Sequence, residues 1–364
     1  MPDAMSESQN TKMDKQAFPE RRCTLVLPGL LDLPPTERDV AFAQVGRLPE
    51  LEWFFSRAQR QAVSGVGLEA TLFALFEADQ PADVDLPVAA VSYVGDTEKR
   101  DPAWCLRADP VQLIPDRDQL VLMGPEHLSL SQAEADQLVA ELNAQFVLDG
   151  WTIEAVAPAR WYLHQANAPE LRTYPLSQVR GHSIADFLPR GKHGKQWQRL
   201  MNEIQMVLHS SAVNQQRQIA GQPPVSSLWF WGSGETPSIK HSHWSKLWSH
   251  EPVGLGLAVL TNTPRRDLPE SATAWLAKSI SPGAHLIVLD ELSHRWQQGD
   301  VGAWVQQVHQ VQREWIAPLL DALRHKQISE FTLCMCDGNR YTLSRRGLKR
   351  WWRRKQPLTV IAEP

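Results

Sequence analysis

A chain of 364 residues is long enough for two domains, or for one large domain with an insertion, at roughly 100–200 residues per domain. Hydrophobic residues at 43% and charged residues at 21% are ordinary globular usage, which excludes a chain disordered throughout. The net charge of -4 supports neither wholesale nucleic-acid binding nor an acidic solvating role, so any electrostatic argument has to be local.

Tryptophan is the outlier, with 15 against 4 tyrosines, which reads first as aromatic packing and second as an exposed recognition surface. Cys23, Cys105, Cys334 and Cys336 fall in strand-like regions without the spacing of a disulfide framework, which fits a reducing, cytoplasmic compartment. Residues 1–20 are polar, lack the apolar run of a signal peptide and read as a disordered tail. No later stretch approaches the ~18 apolar residues of a spanning helix, so no membrane is expected.

The first predicted strand is Cys23-Thr-Leu-Val-Leu27, stopped by Pro28-Gly29. Trp53, Phe54 and Ala58, then Leu68, Leu72, Leu75 and Phe76, recur every three or four residues, as a buried helical face requires, and Leu86 to Val94 reads as extended. From Trp104 to about Leu188 the texture changes to short strands: Val111–Leu113, Gln119–Met123, Thr152–Val156 and Trp161–Leu163. One helix interrupts them, signalled by the capping box Ser131-Gln-Ala-Glu134 and the stripe Ala135, Leu138, Leu142 and Phe146.

After Gly191-Lys-His-Gly194 a long helix carries Trp197, Leu200, Met201, Ile204 and Leu208 on one face. Strand and helix then alternate. Ser227–Trp231 ends in Gly232-Ser-Gly234, Leu255–Leu260 follows, His285–Leu289 ends at Asp290, and Phe331–Cys336 precedes Asp337-Gly338. Helices are predicted over Ala272–Ile280 and Val301–Leu323, the second bent by Pro318. Such alternation with near-continuous apolar strands predicts an α/β fold: a largely parallel sheet covered by helices on both faces, with a smaller inserted α+β cap domain.

Ligands of open α/β sheets sit beyond the carboxyl ends of the strands, so the residues closing each strand are the candidates. Asp290 and Asp337, with His294 one helical turn past Asp290, offer oxygen and imidazole ligands for a divalent ion. The plainer reading has both aspartates capping loops or helices and His294 facing solvent. Gly232, Ser233 and Gly234 could cradle a phosphate with backbone N–H groups, or form only a turn. The basic stretch Arg340 to Lys355 contains Arg345, Arg346, Lys349, Arg350, Arg353 and Arg354 beside Trp351 and Trp352. It could hold phosphates and stack bases, anchor on a partner, or be a terminal helix that docks its tryptophans on the sheet and leaves its arginines in water. No nucleophile elbow and no Ser-His-Asp pattern is found.

Arg107-Ala-Asp-Pro-Val111, Asp149-Gly150, Ala159-Arg-Trp-Tyr162, Asn202-Glu-Ile-Gln-Met206 and Ser227-Leu-Trp-Phe-Trp-Gly232 together resemble the RpfE-type regulatory family. That family is related to the archaeal-type cofactor-independent phosphoglycerate mutases of the alkaline-phosphatase superfamily. The resemblance implies an alkaline-phosphatase-like core over 21–103 and 190–364, with the cap inserted over 104–189. It aligns Asn214 and Arg217 with an Asn-x-x-Arg phrase, making them candidate phosphate contacts, and Asp290-Glu-Leu-Ser-His294 with a metal-ligand phrase.

The departures are Pro28-Gly29 where the mutases carry a metal-binding Asp-Gly, Asp337-Gly338 where they carry Asp-His, and Thr71 without the surroundings of a nucleophile. Two-metal phosphoryl transfer needs its full ligand set. The expectation is therefore a catalytically degenerate regulatory protein, a pseudoenzyme that binds a phosphorylated small molecule or a protein partner. Two other readings stay open: an active phosphomutase or phosphatase with one manganese or zinc ion on Asp290, His294 and Asp337, and an adaptor that takes nucleic acid or a partner through the basic stretch.

Overall fold

Among the residues described by the computed structural model (20–79, 84–100, 104–239, 241–279 and 281–361), twelve strands form two sheets. In chain order they are β1 Arg21–Val26, β2 Gln59–Ala62, β3 Cys105–Asp116, β4 Gln119–Met123, β5 Trp151–Ala157, β6 Arg160–Gln165, β7 Ser227–Gly234, β8 Trp244–Trp248, β9 Arg265–Arg266, β10 Gly283–Val288, β11 Glu330–Cys334 and β12 Asn339–Ser344. The tail expected over 1–20 lies, except for Glu20, outside the described residues, as does position 280 of the helix expected after Ala272.

The larger sheet has the order β2-β12-β11-β1-β10-β8-β9. Its strands β11, β1, β10, β8 and β9 run parallel, and β12 and β2 add an antiparallel edge. Alternation along β1 explains why both faces are covered. Cys23, Leu25 and Leu27 join Trp248, Ile287, Phe331, Leu333, Trp304 and Trp315 in one core, while Val26 joins Leu286, Val288, Cys334, Leu72 and Leu257 in the other. Most tryptophans are buried, as packing predicts, and all four cysteines are free and buried. No helix of the described residues is long and apolar enough to cross a membrane.

The smaller sheet is antiparallel, β4-β3-β6-β5, with β7 also paired to β3. This corrects the placement of Ser227–Trp231: it is a strand, but it closes the second sheet and not the parallel one. The layer around that sheet therefore runs past the expected boundary at 189, through helix Gly194–Ser210, which buries Trp197, Met201, Ile204 and Leu208, to Gly234. The capping box at Ser131 forms as read, at the start of helix Gln132–Gln145.

Two further expectations are corrected. Leu255–Leu260 lies in helix Pro252–Leu260, and Leu86–Val94 lies largely in helix Val88–Thr97. Both segments are apolar all round, and a short apolar run carries no period that separates a buried strand from a buried helix. These two helices cross closely at Gly95 and Gly256: an added Cβ would lie 2.0 Å from the Pro252 carbonyl oxygen in the first case and 1.9 Å from that of Val91 in the second. Pro318 sits in helix Ala317–Arg324, directly after a π-helical turn at Gln312–Ile316 that absorbs the irregularity in the predicted long helix.

Candidate functional site

The parallel register of β1, β10 and β11 brings Val26 level with Val288 and Cys334, so the three strands deliver their exits to one edge. The exit of β1 is Pro28-Gly29. Gly29 has φ +86°, and an added Cβ would lie 2.4 Å from the Ser293 backbone nitrogen, so this turn admits the helix Glu291–Gln297 only because it carries glycine. Asp32 closes the turn, its Oδ1 accepting the amides of Gly29 (2.7 Å) and Leu30 (3.1 Å). Burial pushes the Asp32 carboxyl up to about 6, against the pull of those amide bonds and with some help from the charge of Asp337. Sequence reading missed this carboxylate because it stands beyond the strand; the signal was an aspartate three residues after a Pro-Gly stop, the spacing of a local side-chain-to-backbone turn.

The exit of β11 carries Cys336 and Asp337. Cys336 is held at φ +58°, and its carbonyl accepts the amide of Gly67 (2.8 Å), which ties this loop to the start of helix Leu68–Leu75. Thr71 in that helix is buried and spends its hydroxyl on the Gly67 carbonyl (2.8 Å). Asp337 accepts the Asn339 amide (3.1 Å), the Asn339 side chain (3.1 Å) and the Tyr341 hydroxyl (2.7 Å). At the exit of β8, Glu251 caps helix Pro252–Leu260 through the amides of Val253 (2.9 Å) and Gly254 (2.6 Å). Burial pushes the Glu251 carboxyl up to about 8, the two amides oppose this, and Asp290 and Glu69 add to it.

Asp290 follows β10 and occupies the N-cap position of helix Glu291–Gln297 without making a capping bond. His294 faces it at 3.8 Å, too long for a hydrogen bond, and is 61% exposed. Beside Asp290 is a cavity of about 170 Å³ whose polar lining includes Glu270, Glu291, Gln307 and Gln310 and no lysine or arginine. The edge is thus acidic, and Asp32, Glu251 and Asp337 are held by nearby backbone amides.

The other predicted residues lie elsewhere. Gly232 and Gly234 pack on the first turn of helix Val88–Thr97: added Cβ atoms would lie 2.9 Å from the Val88 Cβ and 2.6 Å from the Pro87 Cβ. Ser233 and Gly234 line a separate open groove of about 700 Å³ with Trp104, Leu171, Arg172, Lys192 and Thr236. Asn214 is fully used, its amide donating to the carbonyls of Leu208 (2.7 Å) and Val225 (2.8 Å) and accepting the Val225 N–H (2.9 Å). Arg217, 2% exposed, donates to Glu134 (2.7 Å), to the Pro223 carbonyl (3.0 Å) and to the Leu128 carbonyl. Asn214 and Arg217 therefore stitch the layer behind the second sheet, and none of these bonds reaches a strand-end carboxylate.

Three of the five phrases that carried the resemblance, those beginning at Arg107, Ala159 and Ser227, meet in one buried network. Arg107 pairs with Asp109 (2.7 Å), which also accepts the Trp231 indole N–H (2.7 Å). Arg160 forks onto Asp96 (3.0 and 2.8 Å), and Tyr162 donates to the same carboxylate (2.6 Å). This network clamps the second sheet onto helix Val88–Thr97.

A metal centre of the mutase type does not fit these donors. Among the described residues, no three His, Cys, Asp or Glu side chains are gathered in a way that could hold an ion, so Asp290, His294 and Asp337 do not form the expected ligand set.

No family model matches the chain. It is 27% identical over 176 residues to a probable 2,3-bisphosphoglycerate-independent phosphoglycerate mutase of Geobacter sulfurreducens, covering 48% of this chain and 42% of that protein. It is 31% identical over 121 residues to a 2,3-bisphosphoglycerate-independent phosphoglycerate mutase of Methanosarcina acetivorans, covering 31% of this chain and 29% of that protein. The chain thus spans less than half the length of the curated relatives it matches. The solved PH0037 protein of Pyrococcus horikoshii aligns over 89% of this chain and 86% of its own, with a TM-score of 0.51 and 14% identity, a likeness of fold. The chain is distantly homologous to the cofactor-independent phosphoglycerate mutases.

Proposed function

We propose that this chain is a catalytically degenerate, regulatory descendant of the mutases that acts by binding a phosphorylated small molecule. The observation that carries the reading is the state of the strand-end carboxylates: Asp32, Glu251 and Asp337 are tied up by backbone amides and neighbouring side chains, and the cavity beside Asp290 offers a phosphate ester carboxylates and no lysine or arginine. The groove beside Ser233 and Gly234 is better suited to the ligand. Its volume, about 700 Å³, is that of a small-molecule site, Trp104, Pro87 and Leu171 supply apolar walls, and its lining, unlike that of the cavity beside Asp290, holds cations: Arg172, and Lys192 paired with Glu170 (3.5 Å), among the carboxylates of Asp79, Asp85 and Glu235.

The purified chain is assayed with 3-phosphoglycerate and with an aryl phosphate, in manganese and in zinc. No turnover is expected, whereas metal-dependent turnover that disappears in Asp290→Ala overturns the proposal in favour of an active enzyme. Titration with 3-phosphoglycerate is expected to raise the melting temperature, and Lys192→Ala to weaken that response about tenfold. Failure of every phosphorylated three-carbon acid to shift the melt, with a protein partner captured instead, would replace the small molecule by that partner.

A further inference from the structure

The chain between β12 and Leu358 is built as a displayed basic loop. Because β12 runs antiparallel to β11, it returns from the carboxyl edge, where Arg340 is level with Cys334, to the opposite edge, where Ser344 pairs with Glu330. Arg345 fastens the loop there, donating to the carbonyls of Ile328 (3.0 Å) and Lys326 (2.8 Å). Arg350 fastens it to the Arg57 carbonyl (2.8 Å) at the end of helix Pro49–Arg57, where free carbonyls carry partial negative charge. Leu358, buried, catches the chain again.

Between these anchors Trp351 is 79% and Trp352 64% exposed, their rings at 84° with centroids 6.2 Å apart. The alternative of a helix that docks both indoles on the sheet is thereby overturned; only a short turn at Gly347–Lys349 is helical before them. Arg340–Lys355 holds eight lysines and arginines and no acid, in a chain whose net charge is -4. Arg345 and Arg350 are spent on fastening. Arg346, Lys349 and Arg354 have side chains in no hydrogen bond or ion pair among the described residues. Leu348 turns inward against the core, so no exposed aliphatic side chain accompanies the indoles in the loop.

We propose that this loop binds single-stranded nucleic acid, with bases stacked on Trp351 and Trp352 and backbone phosphates on Arg346, Lys349 and Arg354. Two indoles set perpendicular to one another suit a strand whose bases turn independently, and a duplex hides the faces they would stack on. An acidic peptide satisfies the cations but leaves both rings in water, and a lipid surface calls for aliphatic neighbours that the loop withholds. The site stands at the opposite edge of the sheet from Asp290 and Asp337 and does not depend on the phosphate-binding groove.

The test is fluorescence anisotropy of a labelled oligothymidylate of about 20 nucleotides with the full chain, at about 50 and about 200 mM salt. Binding is expected to weaken on the order of tenfold across that range, as the release of counterions from a few phosphates requires. Trp351→Ala with Trp352→Ala is expected to weaken it at least tenfold while leaving the melting temperature unchanged, since neither ring packs on the core. Arg346→Gln with Lys349→Gln is expected to flatten the salt dependence. Tighter binding to the matching duplex, to polyglutamate or to phosphatidylserine vesicles overturns the proposal, as does unchanged oligonucleotide binding in the double tryptophan variant or no binding at the lower salt.

Discussion

Asp109 holds the Arg107 guanidinium through both carboxylate oxygens, at 2.7 and 2.9 Å, with both side chains almost wholly buried. Its remaining acceptor capacity is taken by the Trp231 indole (2.7 Å) and the Trp161 amide (3.4 Å). The guanidinium lies between two rings, 5.4 Å from the centroid of Tyr162 and 5.1 Å from that of Trp231. A buried pair becomes a liability when one partner goes, because the other charge is left without water or a counter-ion. Asp109→Ala is expected to cost about 3–5 kcal/mol of stability, read as a shift in the urea midpoint. A loss below about 1 kcal/mol would mean that water reaches Arg107 and that the network is not the clamp described.

The crossing of helices Val88–Thr97 and Pro252–Leu260 gives a second prediction. Ala is the better helix former by about 1 kcal/mol, so Gly256→Ala would stabilise a free helix. Here its Cβ would lie 1.9 Å from the Val91 carbonyl oxygen, so the helices must part, at about 1–3 kcal/mol or more. Gly254→Ala is the control, since the nearest atom to its Cβ is a side-chain oxygen of Glu251 at 3.3 Å. Thermal melts should show Gly256→Ala clearly below Gly254→Ala; equal melting temperatures would mean that the helices do not cross at Gly256.

These two segments also show where the sequence stops being legible. Val88–Val94 and Pro252–Leu260 are buried on nearly every side, so neither shows the one-sided stripe that betrays an amphipathic helix, whereas Trp197, Met201, Ile204 and Leu208 do. The edge strands were missed for the opposite reason: β2 is wholly exposed and reads as polar chain, and β12 shows its period of two only through Tyr341 and Leu343 inside a basic run. At the site, Asp290 and Asp337 were legible because they end apolar strands. Asp32 and Glu251 were not, because their role comes from a turn and a helix cap that only the fold defines.

Arg217 separates a structural role from a ligand contact. Its guanidinium ties Glu134, Pro223 and Leu128 together in the layer behind the second sheet. Arg217→Ala strands those acceptors and should cost about 2–4 kcal/mol, visible in the urea midpoint. The response of the melting temperature to 3-phosphoglycerate should keep its wild-type midpoint. A variant of wild-type stability that no longer answers the phosphate ester would return Arg217 to the ligand.

Stability should fall as pH rises, and Glu251 should be responsible for much of the fall. Its folded carboxyl titrates at about 8, against an ordinary value of 4.5. At pH below 4.5 folded and unfolded chains both hold the proton, and its contribution is fully present. Between 4.5 and 8 the folded chain retains a proton that the unfolded chain gives up, so stability declines through that window and levels off above it. Asp32, pushed up to about 6 from 3.8, adds a decline of the same sign at lower pH. Urea midpoints should therefore drop from about pH 5.5 to about pH 8.5 by the equivalent of a few kcal/mol, since each tenfold difference in proton affinity between the folded and unfolded chain is worth roughly 1.4 kcal/mol. Glu251→Gln keeps an acceptor for the amides of Val253 and Gly254 but cannot ionise, so the slope between about pH 6 and about pH 8 should flatten. An identical slope in the two proteins would mean that Glu251 ionises freely in the fold, and the strand-end edge would then be wetter and more able to hold a cation than its packing implies.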